Sequence, residues 1–428
     1  MRSVGLQVYD KGMNFVQLAI PFFILAMLLE FIYGVLRRRQ TYRLNDTINS
    51  LQMGVLSRLV GVLRLGFSAV VLTSLVSLFG VTQWSVDHWW QWALAFVGYD
   101  LCYYWKHRYG HQWRLMWASH AAHHQSEEYN LSTALRQTGT DYIGFVFYLP
   151  MYLAGTPVEV MVSVGSLNLV YQFWVHTEHV RRLGILDYIL VTPSNHRVHH
   201  AKNPSYIDKN YGGVLVLWDR MFGTFEDERE DEPCHYGITR PLASWNPIWA
   251  NFHVWWDTLK LSLRTGRWQD KILVWFKGPA WYPADVWSNP DADGRYVKFD
   301  PAASTFAKAY TFLQFWLITY GALLLQTEHT QLPRSFGLGA FALLVASAGV
   351  QGYWLEGRRG AFALEWSRLC VLLAVAAATP SLWPGIGGVN ALVEPLLIYV
   401  GGSAAVLLAS HALPARYSGA NSASAGTR

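Results

Sequence analysis

The sequence predicts an all-α, multi-pass transmembrane protein with a histidine-rich di-metal cap on its cytoplasmic face. Three observations lead there. Of the 428 residues, 52% are hydrophobic and only 15% charged, whereas soluble domains carry about 25% charge. Apolar runs that suit a bilayer recur along the chain. Ten of the fifteen histidines fall between 107 and 200, at spacings that put them on shared helical faces.

In chain order, spans are expected at 15–36, 65–82, 89–106, 142–156, 158–175, 304–326, 336–354, 361–380 and 389–412. The run from Phe15 to Leu36 has no small-residue cleavage site before Arg37-Arg38-Arg39, so it reads as an anchor rather than a signal peptide. The stretch 44–64, with Arg43, Asp46 and Arg58 among apolar residues, reads as an interfacial amphipathic helix. The pair at 142–175 is short, and Thr156-Pro157 marks a hairpin turn between its legs. Residues 181–300 read as a soluble-like segment, with the acidic run Glu226 to Glu232 expected in a solvated loop and a turn-rich stretch at 289–294. Three regions are expected: a di-metal membrane domain over 1–300, C-terminal spans over 301–414, and a disordered Ser/Ala/Gly-rich tail over 415–428.

Arg37 to Arg39 assign the end of the first span to the cytoplasm by the positive-inside rule. Counting spans from there brings the third back at Lys106-His107-Arg108, and the hairpin returns at His176. All histidine groups then share one membrane face, in a bacterial inner membrane or the endoplasmic reticulum.

His107 and His111 are spaced i, i+4. His120, His123 and His124 form HxxHH, and His196, His199 and His200 repeat it. Imidazole ligates iron, zinc, copper and nickel well. Eight such ligands exceed the need of one ion, so two metals are expected. A lone HxxxH would be weak, but eight buried imidazoles without a metal would leave many polar atoms unsatisfied. Cys102, Cys234 and Cys370 are too scattered for a thiolate site or a disulfide framework. An all-nitrogen pair of sites facing lipid suits iron, which uses dioxygen on C–H bonds beyond the reach of acid–base groups. His176 and His179 make a fourth group. Carboxylates near the clusters, Asp100, Glu127, Glu128, Glu178, Asp187 and Asp208, are candidate partners for the outward N–H of the rings. Asp100 leads, seven residues before His107 inside a span; Glu127 and Glu128 read equally as helix-end charges. No cofactor-binding fingerprint is present, so electrons are expected from outside.

Several stretches carry a resemblance: Tyr103-Tyr-Trp-Lys-His-Arg108, His123 to Gln137, Tyr171 to Glu178, Asn195 to His200, Ile207-Asp-Lys-Asn-Tyr-Gly-Gly213 and Trp218 to Glu226. Over about 15–285 the chain resembles the fatty acid hydroxylase/sterol desaturase superfamily of membrane di-iron oxygenases, most closely its alkylglycerol monooxygenase branch. That resemblance favours His176 over His179 as the ninth ligand. It implies two iron ions, dioxygen as cosubstrate and tetrahydrobiopterin or another external electron donor. It further implies a membrane lipid substrate hydroxylated at the carbon beside an ether oxygen, with release of a fatty aldehyde. Gln112 stands where the animal members carry a carboxylate.

A sterol, fatty acid or carotenoid hydroxylase or desaturase of the same superfamily is the alternative. A metal transporter would place its ligands at mid-membrane, and a net charge of +5 without a basic stripe gives no reason to expect nucleic acid.

Overall fold

A computed structural model describes residues 14–286, 296–330, 332–382 and 392–412. The turn-rich stretch at 289–294 and the tail at 415–428 lie outside them. The described residues are helical, with two isolated β-bridges, Leu190 with Leu215 and Ala201 with Tyr236. Two compact units divide the chain, Met1–Asp300 and Pro301–Arg428.

The first unit begins with α1 (Phe15–Leu36), α2 (Leu44–Leu78), α3 (Trp89–Gln112), α4 (Arg114–His124) and α5 (Leu131–Ala134). A 3-10 turn at Gly144–Tyr148 leads into α6 (Leu149–Leu153), followed by α7 (Val158–Trp174). The polar part holds α8 (Leu186–Ile189), α9 (Pro193–His200), α10 (Leu217–Met221), α11 (Pro247–Arg264) and α12 (Trp268–Phe276).

α1, α3 and α7 run in the same direction. Phe15 N–H donates to Ser166 Oγ at 3.1 Å, Phe23 stacks on Phe173 at 4.1 Å, and Arg39 pairs with Glu178 at 3.4 Å. Ala95 packs on Val160 and Val164, Asn168 donates to Asp100 at 2.7 Å, and Tyr103 donates to Gln172 at 2.7 Å. The arginines after α1, the histidines of α3 and His176 after α7 therefore gather at one end.

Two expectations need correction. The stretch 44–82 does not divide into an interfacial helix and a span, because α2 is one helix of 35 residues. Its first turns bury Asn45, Asp46, Asn49, Ser50 and Gln52, and Asp46 accepts hydrogen bonds from Ser126 Oγ and the Glu127 N–H. The polar face at 44–53 was thus made for the protein interior, not for headgroups. The expected span at 142–156 is only ten helical residues, Gly144–Leu153, about 15 Å long against a core of about 30 Å. Its turn still reaches the far end of α3, where Trp84 N–H donates to Gly155 O at 3.1 Å. Gly155 has φ +87° and a Cβ there would come within 2.5 Å of Thr82 O, so glycine is required.

The described residues of the second unit form α13 (Thr305–Glu328), α14 (Arg334–Leu355), α15 (Ala361–Leu382) and α16 (Val393–Ala412), each packed on the next along the chain. Among the described residues, four helices are long and apolar enough to cross a bilayer: α1, α14, α15 and α16 over Val393–Ser410. The protein is therefore an integral membrane protein. The other long helices dilute their apolar content with polar residues turned inward, such as Asp100 and Gln314.

Candidate metal centre

α3 ends with His107 and His111, and after one residue α4 begins, carrying His120, His123 and His124. α9 is capped by Thr192, whose side chain and that of Asn195 bond reciprocally to each other's backbone, and it presents His196, His199 and His200. His176 follows α7.

The nine histidines form two groups. His107, His111, His120, His124 and His199 make the first; His123, His176, His196 and His200 make the second. Within each, one ring nitrogen per residue lies within 4.8 Å of all the others. Helical geometry explains the division. Residues i, i+4 stay together: His107/His111 and His120/His124 in one group, His196/His200 in the other. Adjacent residues point about 100° apart, so His123-His124 and His199-His200 each split between groups. The two HxxHH motifs are used in opposite senses. The groups touch where His124 stacks on His200 at 4.2 Å.

The donor set fits metal ions. Nε2 of His120 lies 3.0 Å from Nε2 of both His107 and His124, and His176 Nε2 lies 3.3 and 3.1 Å from those of His123 and His196. Two nitrogens about 2.1 Å from one ion and at right angles to it would stand about 3.0 Å apart. Nε2 of His111, His199 and His200 is buried without a hydrogen-bond partner, a costly state for a lone pair unless an ion takes it.

The opposite ring nitrogen fixes the tautomer. Nδ1 of His107 donates to Tyr211 O at 2.8 Å, His123 to Arg136 O at 2.9 Å, His176 to Gln172 O at 2.7 Å and His199 to Lys209 O at 3.0 Å. Each bond leaves the Nε2 lone pair facing its group. Burial lowers His123 to about 4 and His199 to about 3, so both rings are neutral near pH 7.

For these four rings the partners are carbonyls and not the expected carboxylates. Asp100, Glu127 and Glu178 bond no cluster imidazole among the described residues, and Asp208 Oδ1 stops 4.0 Å from His111 Nδ1. The carboxylates instead brace the segments that carry the acceptors. Asp100 accepts from Val214 N–H, Leu215 N–H and Trp218 Nε1, and so fixes the loop after Tyr211. Gly213 belongs to this contact, since a Cβ there would lie 2.9 Å from Asp100 Oδ1 and 2.7 Å from Tyr103. Asp208 and Asn210 adopt left-handed backbone, φ 61° and 54°, and the chain so bent turns the carbonyls of Lys209 and Tyr211 toward His199 and His107. Glu127 accepts Phe299 N–H at 2.7 Å and faces Arg43; Glu128 pairs with Lys298; Asp187 holds Thr192 at the cap of α9.

Several contributors were not singled out from the sequence. Arg136 is wholly buried and ties Ala122 O, Gln125 and Asn49 together, which fixes the carbonyl that orients His123. Tyr129 lies against His176 and His200. Glu228, expected in a solvated loop, clamps Arg197 with two bonds of 2.7 and 2.6 Å and accepts from Ser194. That Glu226, Glu228 and Glu232 are half-buried while Asp227, Glu230 and Asp231 are exposed is invisible without the fold. His179 belongs to neither group and meets the edge of Tyr33. His329 is exposed and bonds Gln326 O, far along the chain from the histidine groups.

Helices that gather nine histidines at one end define a class of membrane protein, and the fatty acid hydroxylase family pattern matches residues 92–224, which contain all nine. Human alkylglycerol monooxygenase is 41% identical over 326 residues, 74% of this chain and 72% of that one. The zebrafish enzyme of the same name is 39% identical over 380 residues, 84% of this chain and 81% of its own. An ornithine lipid hydroxylase of Rhizobium tropici is 31% identical over 167 residues, 37% of this chain and 50% of its own. No solved structure matches the chain. The chain belongs to the alkylglycerol monooxygenase family.

Proposed function

We propose that this chain is an oxygen-dependent lipid monooxygenase that hydroxylates the carbon beside the ether oxygen of alkylglycerols. The observation that carries the reading is the convergence of nine neutral imidazoles into two adjacent groups, in a chain of this family. Two iron ions held by these groups would supply dioxygen chemistry at an aliphatic C–H bond, which no acid or base of the chain can attack. Overall, one oxygen atom enters the C–H bond and the other leaves as water, using two electrons and two protons from a reduced donor, tetrahydrobiopterin in this reading. The hemiacetal so formed falls apart to a fatty aldehyde and glycerol.

The chain's own part is preorganisation. Backbone carbonyls hold four of the rings in one tautomer, the Asp100 and Arg136 networks hold the carbonyls of Tyr211 and Arg136, and burial keeps the imidazoles unprotonated. The basic run Arg37 to Arg39 faces the same end as His176, through the Arg39–Glu178 pair, and supports a cytoplasmic site.

Supplying an alkylglycerol with two deuteriums at the carbon beside the ether oxygen tests the reaction. Fatty aldehyde with one deuterium, dependent on oxygen and stimulated by tetrahydrobiopterin, is the expected product. A stable alcohol with both deuteriums retained would point to hydroxylation elsewhere on the chain, as in the fatty acid branch. Impermeant cysteine labelling at positions 37 and 176 should mark both from the cytoplasmic side; opposite sides would break the topology.

A further inference from the structure

Helices α11 and α12 lie in the stretch read from sequence as soluble-like, yet each carries an exposed apolar stripe. On α11 it consists of Trp249, Phe252, Trp256, Leu259 and Leu263, spaced i, i+3, i+7, i+10, i+14 and so confined to a sector about 80° wide. On α12 it is Trp268, Ile272 and Phe276, spaced i, i+4, i+8. Leu263 is 67% exposed and Trp268 68%, the values of side chains with no protein against them. The other faces turn inward: on α11 Ala250 packs with Met53 and Ala122, and half-buried Trp255 donates from Nε1 to Thr140 Oγ1 at 3.1 Å, while on α12 Asp270 and Val274 are buried.

We infer that α11 and α12 form an in-plane membrane element, seated in the headgroup layer on the side of the bilayer where the histidines gather, with anionic lipid at its rim. Three observations carry this. The composition is that of an interfacial helix, aromatic and aliphatic on one face with cations beside it. Over 247–277, Lys260, Arg264, Arg267, Lys271 and Lys277 stand against Asp257 and Asp270, five cations to two anions, a net +3. The element is also fixed at the depth of the site, since Arg114, the first residue of α4, donates from its backbone to Lys277 O and from its guanidinium to Pro279 O and Trp281 O. A second copy on the same patch would set like-charged rims against each other in a two-fold contact, whereas anionic headgroups attract them. The contact has a consequence for the site: α4, which carries three of the histidines, rests directly on α11 through Ala122 and Gln125.

The test uses the unmodified full-length chain in liposomes that contain phosphatidylglycerol and a lipid with a photoactivatable group high in its acyl chain. Peptides covering 249–276 should be labelled together with those of α1, which serves as the internal standard. Labelling of α1 without 249–276 overturns the inference, and so does crosslinking of 249–276 to a second copy that persists on dilution in lipid. In the variant Trp256→Glu with Trp268→Glu, labelling of 249–276 should fall while metal content stays unchanged. Reversal of Arg264 and Lys277 to Glu should cut labelling by an anionic photolipid at least about fivefold and leave a zwitterionic one nearly unaffected. None of these readouts depends on the reaction catalysed, so failure here and failure of the proposed oxygenation are distinguishable.

Discussion

Each unit holds a cluster of buried polar groups, and the two clusters are built in opposite ways. In the second, Arg368 is buried on α15, and every donor of its guanidinium is used: on Glu365, Ser347, Tyr399 and Gln314. Glu365 also accepts Tyr310 OH, and Gln314 reaches Ser403. Charge and hydrogen bonds close on themselves, tying the four helices together. In the first unit four histidines, His107, His123, His176 and His199, satisfy Nδ1 on a carbonyl and leave Nε2 aimed at their neighbours, and Nε2 of His111, His199 and His200 is unpartnered. An ionisable group inside a membrane unit is a functional candidate by default. What separates these two cases is completeness: the closed network holds helices, and the open one is shaped for a ligand.

Changes at the open network should have the largest effect. His123→Ala or His199→Ala should lower activity by more than about a hundredfold, because even partners of ligands typically cost 10–100-fold. Metal content should fall with it, while the protein stays in the membrane. Retained metal and activity would refute the grouping.

Breaking the closed network should cost stability and nothing else. Glu365→Ala strands a buried guanidinium and should destabilise the second unit by about 3–5 kcal/mol, seen as a lower melting temperature in detergent at unchanged metal content. Loss of metal in this variant would erase the distinction between the units.

Asp100→Asn lies between the two cases. It weakens the acceptor for Val214, Leu215 and Trp218, and should reduce metal affinity roughly 10–100-fold by loosening the Tyr211 carbonyl. An equilibrium metal titration reads this directly, and unaltered affinity would leave Asp100 a fold residue only.

Acid should act on one unit selectively. The folded pKa values of His123 and His199, about 4 and about 3, lie below the ordinary 6.5. Their contribution to stability is therefore complete above pH 6.5 and is lost as pH falls toward those values. Hydrogen exchange on metal-free protein should show α4 and α9 opening between pH 6.5 and 4, with α14 and α15 unchanged. Equal acceleration in both units would show that the histidines are not the cause. At the small end, His329→Ala should change stability by less than about 0.5 kcal/mol, as for other exposed positions.

Much of the site was legible in the sequence because helical periodicity is local. A spacing of four residues keeps two histidines of one helix together, as His107 with His111, His120 with His124 and His196 with His200. The sequence by itself thus determined the helical class, the membrane setting and eight clustered histidines, too many for one group, while His176 was separated from His179 only by resemblance. Which histidine enters which group was decided by tertiary structure, since adjacent rings diverge and each finds its partners on a different helix. So were the carbonyl acceptors at Arg136, Lys209 and Tyr211: a carbonyl has no sequence signature, and only the folded loop, bent at Asp208 and Asn210 and held by Asp100, turns it toward a ring. The irregular leg at 142–156 and the exposed stripe of α11 have the same origin. Hydropathy records how apolar a segment is, and only packing decides whether that surface meets protein or lipid.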